Sequence, residues 1–261
     1  MITIPVLAAA LWEARNYGVP VPKSMAQCLN SIDDAYRCQR HLTSLSNMSC
    51  IGWKVGATSK AVQNMVGTNQ PTTAPMFKEF CYNSGDNIPI FETFSIGIES
   101  EFSFRFSGNL PSRVDPYKRE EILDAVDCVI PALEVVGVRF QGGFKGIGAM
   151  LLTADMAANS EWIEGTPQKD WRQINFKDYR VELFKNGIQM AAGIGANALG
   201  DPLYVLEWTA NHLSQMGYGI KQGEIVSTGT CTGVVPVSPG ETLVAEFGGL
   251  GRVQAHFTAR T

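Results

Sequence analysis

The chain has 261 residues, of which 45% are hydrophobic and 18% charged, a composition typical of a globular protein with a substantial core. Its net charge of -4 argues against nucleic acid or an anionic membrane surface as a partner. No run approaches the ~18 apolar residues of a membrane span, and the start lacks the basic segment of a secretory signal. Six cysteines without any Cys-x-x-Cys spacing indicate reduced thiols. We therefore expect a cytoplasmic protein with no membrane partner.

The first ninety residues are predicted to form a mainly helical N-terminal region, 1–90. Capping residues, prolines and glycines predict three helices and one short strand in it. The helices are expected over about residues 5–18, 31–45 and 58–67, and the strand over 51–56.

From residue 91 to 261 the pattern predicts a β-rich core that forms one structural unit with the N-terminal region. Two further helices are expected, Arg119–Cys128 and Pro202–Met216, the second with Asp201 as its N-cap. The last forty residues predict three strands, and the final two alternate so that six side chains face inward: Leu243, Ala245, Phe247, Val253, Ala255 and Phe257. His212 and His256 are read as solvent-exposed.

Glu99 and Glu101 share one face of a strand that is otherwise hydrophobic. The segment from Ile96 to Phe106 alternates with a period of two, and the polar face carries both acids. Carboxylates at positions i and i+2 stand roughly 7 Å apart at Cα. Their mutual repulsion must be screened by water or relieved by a cation.

Glu134 is a third acid, and it interrupts the apolar run from Val129 to Val136. A lone ionised carboxylate in such a strand is costly unless it is paired or binds a metal. Three carboxylates without a nearby Cys or His suit a hard divalent ion, Mg²⁺ or Mn²⁺. The alternative is a solvated strand face on which Arg105 forms a salt bridge with Glu99 or Glu101.

Lys54 lies between Trp53 and Val55 in a strand flanked by glycines. A buried lysine needs an anionic partner or a lowered pKa. Beside an acidic metal site, Lys54 would hold a substrate carboxylate or relay a proton. The alternative is a lysine whose ammonium group reaches solvent at a strand edge. Lys60, on the first turn of a helix, is a second candidate for substrate binding.

The segment Thr228-Gly-Thr-Cys-Thr-Gly233 gathers hydroxyl and backbone N–H groups after a strand. Such a turn forms an anion-binding nest, which makes Thr228, Gly229 and Thr230 candidate substrate ligands. Because it lacks a P-loop lysine and opens no helix, nucleotide binding is not predicted. Cys231 is interpreted as a small apolar filler.

Asp155 and Asn159 are the polar members of an otherwise apolar stretch, either as partners of the site or as caps of a turn. Two other chemistries are excluded. A serine hydrolase lacks its Gly-x-Ser-x-Gly elbow, and the three histidines have no zinc-ligand spacing.

Five motifs occur in a characteristic order along the chain: Gly52-Trp-Lys-Val-Gly-Ala-Thr-Ser-Lys60, Ile98-Glu-Ser-Glu-Phe102, Pro131-Ala-Leu-Glu134, Asp155 with Asn159, and Thr228-Gly-Thr-Cys-Thr-Gly233. On these motifs the sequence resembles the hydratase/decarboxylase branch of the fumarylacetoacetate hydrolase superfamily, from about Asp33 to Phe257. Within that branch it is most similar to the 2-oxopent-4-enoate (2-hydroxypenta-2,4-dienoate) hydratases of aromatic meta-cleavage pathways.

The resemblance implies an α+β fold with a mixed β-roll or barrel core and an N-terminal helical region, assembled into homo-oligomers. It also implies Mg²⁺ or Mn²⁺ bound by Glu99, Glu101 and Glu134. Lys54 and the turn at Thr228 and Gly229 would contact the substrate.

Two positions depart from the hydratase pattern. Thr72 stands where the hydratases usually carry an acid, and Met156 follows Asp155 where the family has Asp-Asn. Both changes fall in the substrate pocket that the resemblance implies. With one negative charge fewer there, we expect the protein to tolerate a longer or dicarboxylic 2-oxo acid.

The sequence therefore predicts a metal-dependent hydro-lyase that adds water to a short 2-hydroxy-dienoic or 2-oxo-enoic acid, with Lys54, Glu99 and Glu101 as catalytic residues. Three alternatives stay open. One is a decarboxylase of a 2-oxo-enedioate (4-oxalocrotonate), and another an acylpyruvate-type C–C hydrolase, for which His41 lacks an acid partner before Glu79. The third is a non-catalytic subunit. The protein is also a candidate for a complex with a related decarboxylase.

Overall fold

The computed structural model describes residues 2–260, which form an α+β fold around two mixed sheets. The α-helices are Ile4–Tyr17 (α1), Ile32–Ser46 (α2), Lys60–Val66 (α3), Arg119–Asp124 (α4), Gly148–Ala154 (α5) and Pro202–Gln215 (α6). The strands are Cys50–Gly56 (β1), Thr72–Phe77 (β2), Cys81–Asn83 (β3), Asn87–Ile90 (β4), Ser95–Phe106 (β5), Val126–Val138 (β6), Asn159–Glu164 (β7), Arg180–Lys185 (β8), Ile188–Ile194 (β9), Ile225–Thr230 (β10), Val235–Pro236 (β11), Thr242–Glu246 (β12) and Arg252–Ala259 (β13).

The larger sheet has the order β2-β1-β10-β5-β6-β7-β3, with β11 paired to one end of β5. Its centre is the long antiparallel pair β5 and β6, whereas β1 pairs with β10 in parallel. Gly52 makes this parallel contact possible, because a Cβ there would lie 2.0 Å from the carbonyl oxygen of Ile225. The sheet curls into a half-barrel, and its strand order places Lys54, Glu101 and Glu134 on β1, β5 and β6, close to one another.

The smaller sheet has the order β4-β13-β12-β8-β9 and packs against the larger one. The six residues predicted to face inward on β12, on β13 and directly after β12 are buried, as their alternation indicates. They join Phe102 and Phe104 of β5 in one apolar core. A second core lies where α1, α2 and α5 pack beside the larger sheet. The predicted α+β class with a mixed sheet is confirmed.

Residues 50–90 differ from the predicted mainly helical N-terminal region. They supply four strands, of which β1, β2 and β3 join the larger sheet and β4 joins the smaller one. The helix predicted over Arg119–Cys128 ends at Asp124, and β6 begins at Val126. The cause is the β-branched run after Val126, which is buried between β5 and β7 and favours an extended chain.

Capping residues predicted where α2, α3 and α6 begin. Ser31 accepts the backbone N–H of Asp34 at the start of α2, and Ser59 accepts that of Val62 at the start of α3. Asp201 caps α6 in the same way, by accepting the N–H of Leu203. Within residues 2–260, no helix has both the length and the apolar character needed to cross a membrane.

Candidate active site

Four neighbouring strands, β1, β10, β5 and β6, bring the predicted acids and Lys54 to one place. Glu99 and Glu134 are direct cross-strand partners on β5 and β6, and Glu101 follows two residues later on β5. One carboxylate oxygen from each of the three acids lies within 4.8 Å of the other two. Like charges directly opposite each other destabilise a sheet, so this arrangement calls for a positive charge between them.

Glu101 is fully buried and is held by one of its two oxygens. Its Oε2 accepts hydrogen bonds from the Ser227 hydroxyl and, at 3.0 Å, from the Gly229 backbone N–H. Ser227 in turn accepts from Ser103, 2.8 Å away, and Trp162 donates to Ser103. Glu101 Oε1 is buried without a hydrogen-bond partner among the described residues. The carboxylate is therefore oriented through Oε2, and Oε1 is left free to bind another group.

Glu134 repeats this pattern from the other side of the site. Its Oε1 lies 3.1 Å from Lys54 Nζ and accepts a longer bond, at 3.4 Å, from the Asn159 amide. Its Oε2 is buried and has no partner within the described part of the chain. Two buried acids thus each offer one anchored and one free oxygen.

The pKa directions agree with a cluster that needs a cation. Burial raises the pKa of Glu101 well above its usual value, and the neighbouring charges of Glu134 and Glu99 raise it further. Burial likewise raises the pKa of Glu99 to about 7. For Lys54, burial lowers the pKa, but the charges of the three acids outweigh it and raise the pKa overall. The charged ammonium form of the lysine is therefore favoured.

These residues fit a hard divalent ion. The donors are carboxylate oxygens only, and two of them are buried without a partner, which is costly unless a cation binds there. A single lysine cannot neutralise three carboxylates. Glu99 is the most exposed of the three and faces a cavity, which leaves a side of the cluster open to a ligand.

The cavity beside the cluster has a volume of about 310 Å³. Lys54 and Glu99 are its charged lining residues, as far as residues 2–260 are concerned. The rest of its wall is apolar and includes Val62, Val66, Val136, Phe144, Leu152 and Val234. Its size is at the lower end of the range of about 300–1,000 Å³ that is typical of small-molecule pockets. The arrangement suits a small molecule with one anionic end and an apolar tail.

Several predicted substrate ligands do not line this cavity. Lys60 is exposed and donates to Gln63. Thr72 lies behind the cavity wall, where its hydroxyl bonds with those of Tyr36 and Thr153 at 3.2 and 2.9 Å. Thr72 is not among the residues that line this cavity.

The Thr-Gly segment is also placed differently from the predicted nest. Thr228, Gly229 and Thr230 still belong to β10, and the two hydroxyls bond to the carbonyls of Phe102 and Gly233. Gly229 takes part through its N–H to Glu101, at a φ of +94° and so close to Thr58 that a Cβ would clash. Its role is to orient a carboxylate.

Asp155 and Asn159 lie around the site without lining the cavity. Asp155 is buried and paired with Arg139 at 2.6 Å, and Asn159 touches Glu134. Ser227 and the backbone carbonyl of Ala157, which accepts from Lys54 at 2.9 Å, are site groups that the sequence analysis missed. Ser103 could have indicated a hydrogen-bonding network beside the acids, since it shares their polar face on β5. Nothing in the sequence indicated the Ala157 carbonyl, because the position of a carbonyl group depends on backbone conformation.

Residues 57–258 match the family model described as fumarylacetoacetate hydrolase C-terminal. A 2-keto-4-pentenoate hydratase from Paraburkholderia xenovorans is 28% identical over 254 residues, which cover 96% of this chain and 93% of that protein. A 2-hydroxypent-2,4-dienoate hydratase from Pseudomonas putida is 34% identical over 191 residues, 72% of this chain and 84% of the relative.

Among solved structures, a 4-oxalocrotonate decarboxylase from Pseudomonas putida G7, complexed with magnesium and adipate, superposes with a TM-score of 0.88. It is 27% identical in sequence, and the match covers 97% of each chain.

Proposed function

Because the chain belongs to the fumarylacetoacetate hydrolase family, we propose that it is a divalent-metal-dependent hydratase of a short 2-hydroxy-dienoic acid, or of its 2-oxo-enoic tautomer. The observation that carries the proposal is the cluster of Glu99, Glu101 and Glu134 with Lys54 at one end of an apolar cavity. The similarity to curated hydratases over nearly the whole chain supports the same reaction class. The setting we propose is the degradation of aromatic compounds.

Glu99, Glu101 and Glu134 would hold Mg²⁺ or Mn²⁺. A divalent cation supplies Lewis acidity toward the C2 oxygen of a 2-oxo acid and charge that binds its C1 carboxylate. Ser227 and the Gly229 N–H keep Glu101 in its bound orientation, and Lys54 and Asn159 do the same for Glu134.

Lys54 would act on the substrate directly. Its ammonium group has three N–H donors, of which two point to Glu134 and to the Ala157 carbonyl. The third is left for a substrate oxygen, so Lys54 either holds the carboxylate or passes a proton from Nζ. In the reaction, the dienol loses the proton of its C2 hydroxyl and gains a proton at C5, which gives the conjugated 2-oxo-3-enoate. Water then adds its oxygen at C4 and a proton at C3.

The apolar wall favours hydration of a monocarboxylic acid over decarboxylation of a dicarboxylic one. A carboxylate on the substrate tail would lie among Val62, Phe144 and Leu152, with no second cation in the lining within residues 2–260. An unpaired buried carboxylate is strongly disfavoured. The tolerance of a dicarboxylic acid that we expected from Thr72 is therefore not supported. The acylpyruvate hydrolase alternative is disfavoured as well, because His41 is exposed and does not line the cavity.

We further propose that residues 1–90 and 91–261 act as one structural unit, that the enzyme is a cytoplasmic homo-oligomer, and that it can associate with a related decarboxylase. Edge strand β9 supports self-association, since Ile188 and Met190 are exposed on it. Sedimentation of the purified chain, alone and mixed with such a decarboxylase, tests the last two points.

The proposed reaction is tested with protein stripped by EDTA and then given Mg²⁺, Mn²⁺ or no metal. The substrates are 2-hydroxypenta-2,4-dienoate, its homologue with a methyl group on C5 (2-hydroxyhexa-2,4-dienoate), and 2-oxohex-3-enedioate, all followed by ultraviolet absorbance. We expect metal-dependent loss of the two monocarboxylic dienoates. Activity confined to the enedioate, or full activity without metal, would overturn the proposal.

A further inference from the structure

A left-handed backbone turn forms one wall of the site. Met156, Ala157 and Ala158 have φ values of +56°, +52° and +59°, and all three are buried. L-residues other than glycine rarely take this conformation, because Cβ approaches the backbone carbonyl. Three such residues in succession persist only when their surroundings enforce them, and strain of this kind is concentrated at functional sites.

The turn delivers one group to the site. The carbonyl oxygen of Ala157 points at Lys54 and accepts a hydrogen bond from Nζ at 2.9 Å. With Glu134 as the second acceptor, this bond fixes two of the three N–H directions of the ammonium group. The direction of the third, toward the substrate, follows from the shape of the turn.

Arg139 brackets the turn from both ends. Its Nη2 donates to the carbonyl of Asp155 at 2.6 Å, and its Nη1 donates to that of Asn159 at 2.7 Å. The Asp155 carboxylate holds the same arginine through Nε, at 2.6 Å, and through the backbone N–H, at 2.7 Å. Arg139 is only 2% exposed. Burying an ion pair is weak evidence for stability, so the pair calls for another explanation.

We propose that Arg139 is a positioning residue: it clamps residues 155–159 in the left-handed turn, and through the Ala157 carbonyl it aims the ammonium group of Lys54 at the substrate. Asp155 belongs to this clamp and orients the guanidinium group. The inference rests on the proposed function for its kinetic test, but the geometry of the clamp is independent of the reaction.

Arg15 of α1 provides a matched control. It is also buried, and it donates to the carbonyls of Asn159, at 2.6 Å, and Ser160. It contacts only the C-terminal end of the turn and therefore cannot bracket it. Arg15→Lys and Arg139→Lys keep the charge and remove the planar fork of donors, so both lose packing and hydrogen bonds. Only the second removes the clamp.

The experiment compares the kinetics of the two variants in excess Mg²⁺, with thermal melting to establish that each is folded. For Arg139→Lys we expect kcat/KM to fall at least tenfold, mostly in kcat, and for Arg15→Lys less than threefold. Adding Ala157→Gly to Arg139→Lys is expected to recover at least threefold of the loss, because glycine takes a positive φ without strain. If Arg139→Lys does not fold, Asp155→Asn takes its place, with a smaller loss and the same recovery by glycine.

Oxalate binding separates this inference from the proposed function. Oxalate is a planar dianion that resembles the enolate of a 2-oxo acid, and its affinity is measured by calorimetry in Mn²⁺. If wild type hydrates none of the dienoates, the proposed function fails, and the clamp is still supported if Arg139→Lys weakens oxalate at least tenfold while Arg15→Lys does not. The inference is overturned if both variants lose equally, if Arg139→Lys stays within threefold of wild type, or if glycine recovers nothing.

Discussion

At the scale of single residues, the central feature is that Glu101 and Glu134 are each anchored through one oxygen and free at the other. Surface acids do not have this geometry, because water satisfies both of their oxygens. Burial raises the pKa of Glu101, so the charged form destabilises the folded protein unless a cation is bound. The acid is therefore expected to be more important for function than for stability.

Glu101→Gln tests this role. We expect the variant to lose metal-dependent activity and to bind Mn²⁺ more than ~100-fold more weakly, beyond the 10- to 100-fold that is typical of changes around a metal's ligands. Without metal it should be at least as stable as wild type, because a buried charge is removed. Calorimetric titration with Mn²⁺ and urea unfolding measure the two effects. Unchanged Mn²⁺ affinity would remove Glu101 from the metal site.

Lys54→Met tests the proposed contact with the substrate. Methionine has a similar volume but no charge, so the loss should equal that of a charge-assisted hydrogen bond, about 2–3 kcal/mol of transition-state stabilisation. This corresponds to a fall in kcat/KM of roughly 30- to 150-fold. Steady-state kinetics at saturating Mg²⁺ measure it, and a fall of less than fivefold would show that the ammonium group does not act on the substrate.

At the scale of secondary-structure elements, the alternation of β5 was sufficient to place the acids on one face, and capping residues located α2, α3 and α6. The sequence could not show that residues 156–158 form a left-handed turn, since alanine and methionine normally favour ordinary helix. The predicted helix α4 ran on into β6, because no turn residue marks the start of that strand. The strand forms there because neighbouring strands bury it.

Helix α3 forms part of the cavity wall, and Val62→Arg tests what this wall selects. An arginine there would add a cation beside the substrate tail. We expect kcat/KM for 2-oxohex-3-enedioate, relative to 2-hydroxypenta-2,4-dienoate, to rise about tenfold, since ~1.4 kcal/mol of charge pairing is sufficient. Val62→Leu is the control and should leave the ratio unchanged. If Val62→Arg also leaves it unchanged, the tail does not pass α3.

Helix α6 carries His212, which was read as exposed but is partly buried. Its ring stacks on Trp208 with centroids 4.6 Å apart, and Nε2 is buried without a partner among the described residues. Burial lowers the pKa of His212 to about 4, against about 6.5 in an unfolded chain. Its contribution to stability is therefore complete above pH 6.5 and is lost as the pH falls toward 4.

His212→Phe keeps the stacking and removes this titration. We expect the free energy of unfolding of wild type to fall more steeply than that of the variant between pH 7 and 5, because protonation of the buried ring favours the unfolded chain. Urea unfolding at several pH values measures the difference. Parallel curves for the two proteins would mean that His212 titrates as an exposed side chain.

At the scale of the whole molecule, strand order brings motifs that are distant in the sequence together in one site. Lys54, Glu101 and Glu134 are far apart in the chain, but β1, β10, β5 and β6 are consecutive in the larger sheet. Motif order was sufficient to predict the family. The cavity was not predictable, because its wall comes from α3, α5 and the turn after α5, which no single motif describes.

Metal-dependent hydration is tested most directly by the identity of the product. Protein freed of metal is given 2-hydroxypenta-2,4-dienoate in water enriched in oxygen-18, with and without Mg²⁺, and the products are identified by nuclear magnetic resonance and mass spectrometry. We expect a 4-hydroxy-2-oxo acid with oxygen-18 at C4, formed only with the metal. Unchanged substrate with Mg²⁺ and with Mn²⁺, or the same product at the same rate without metal, would contradict it.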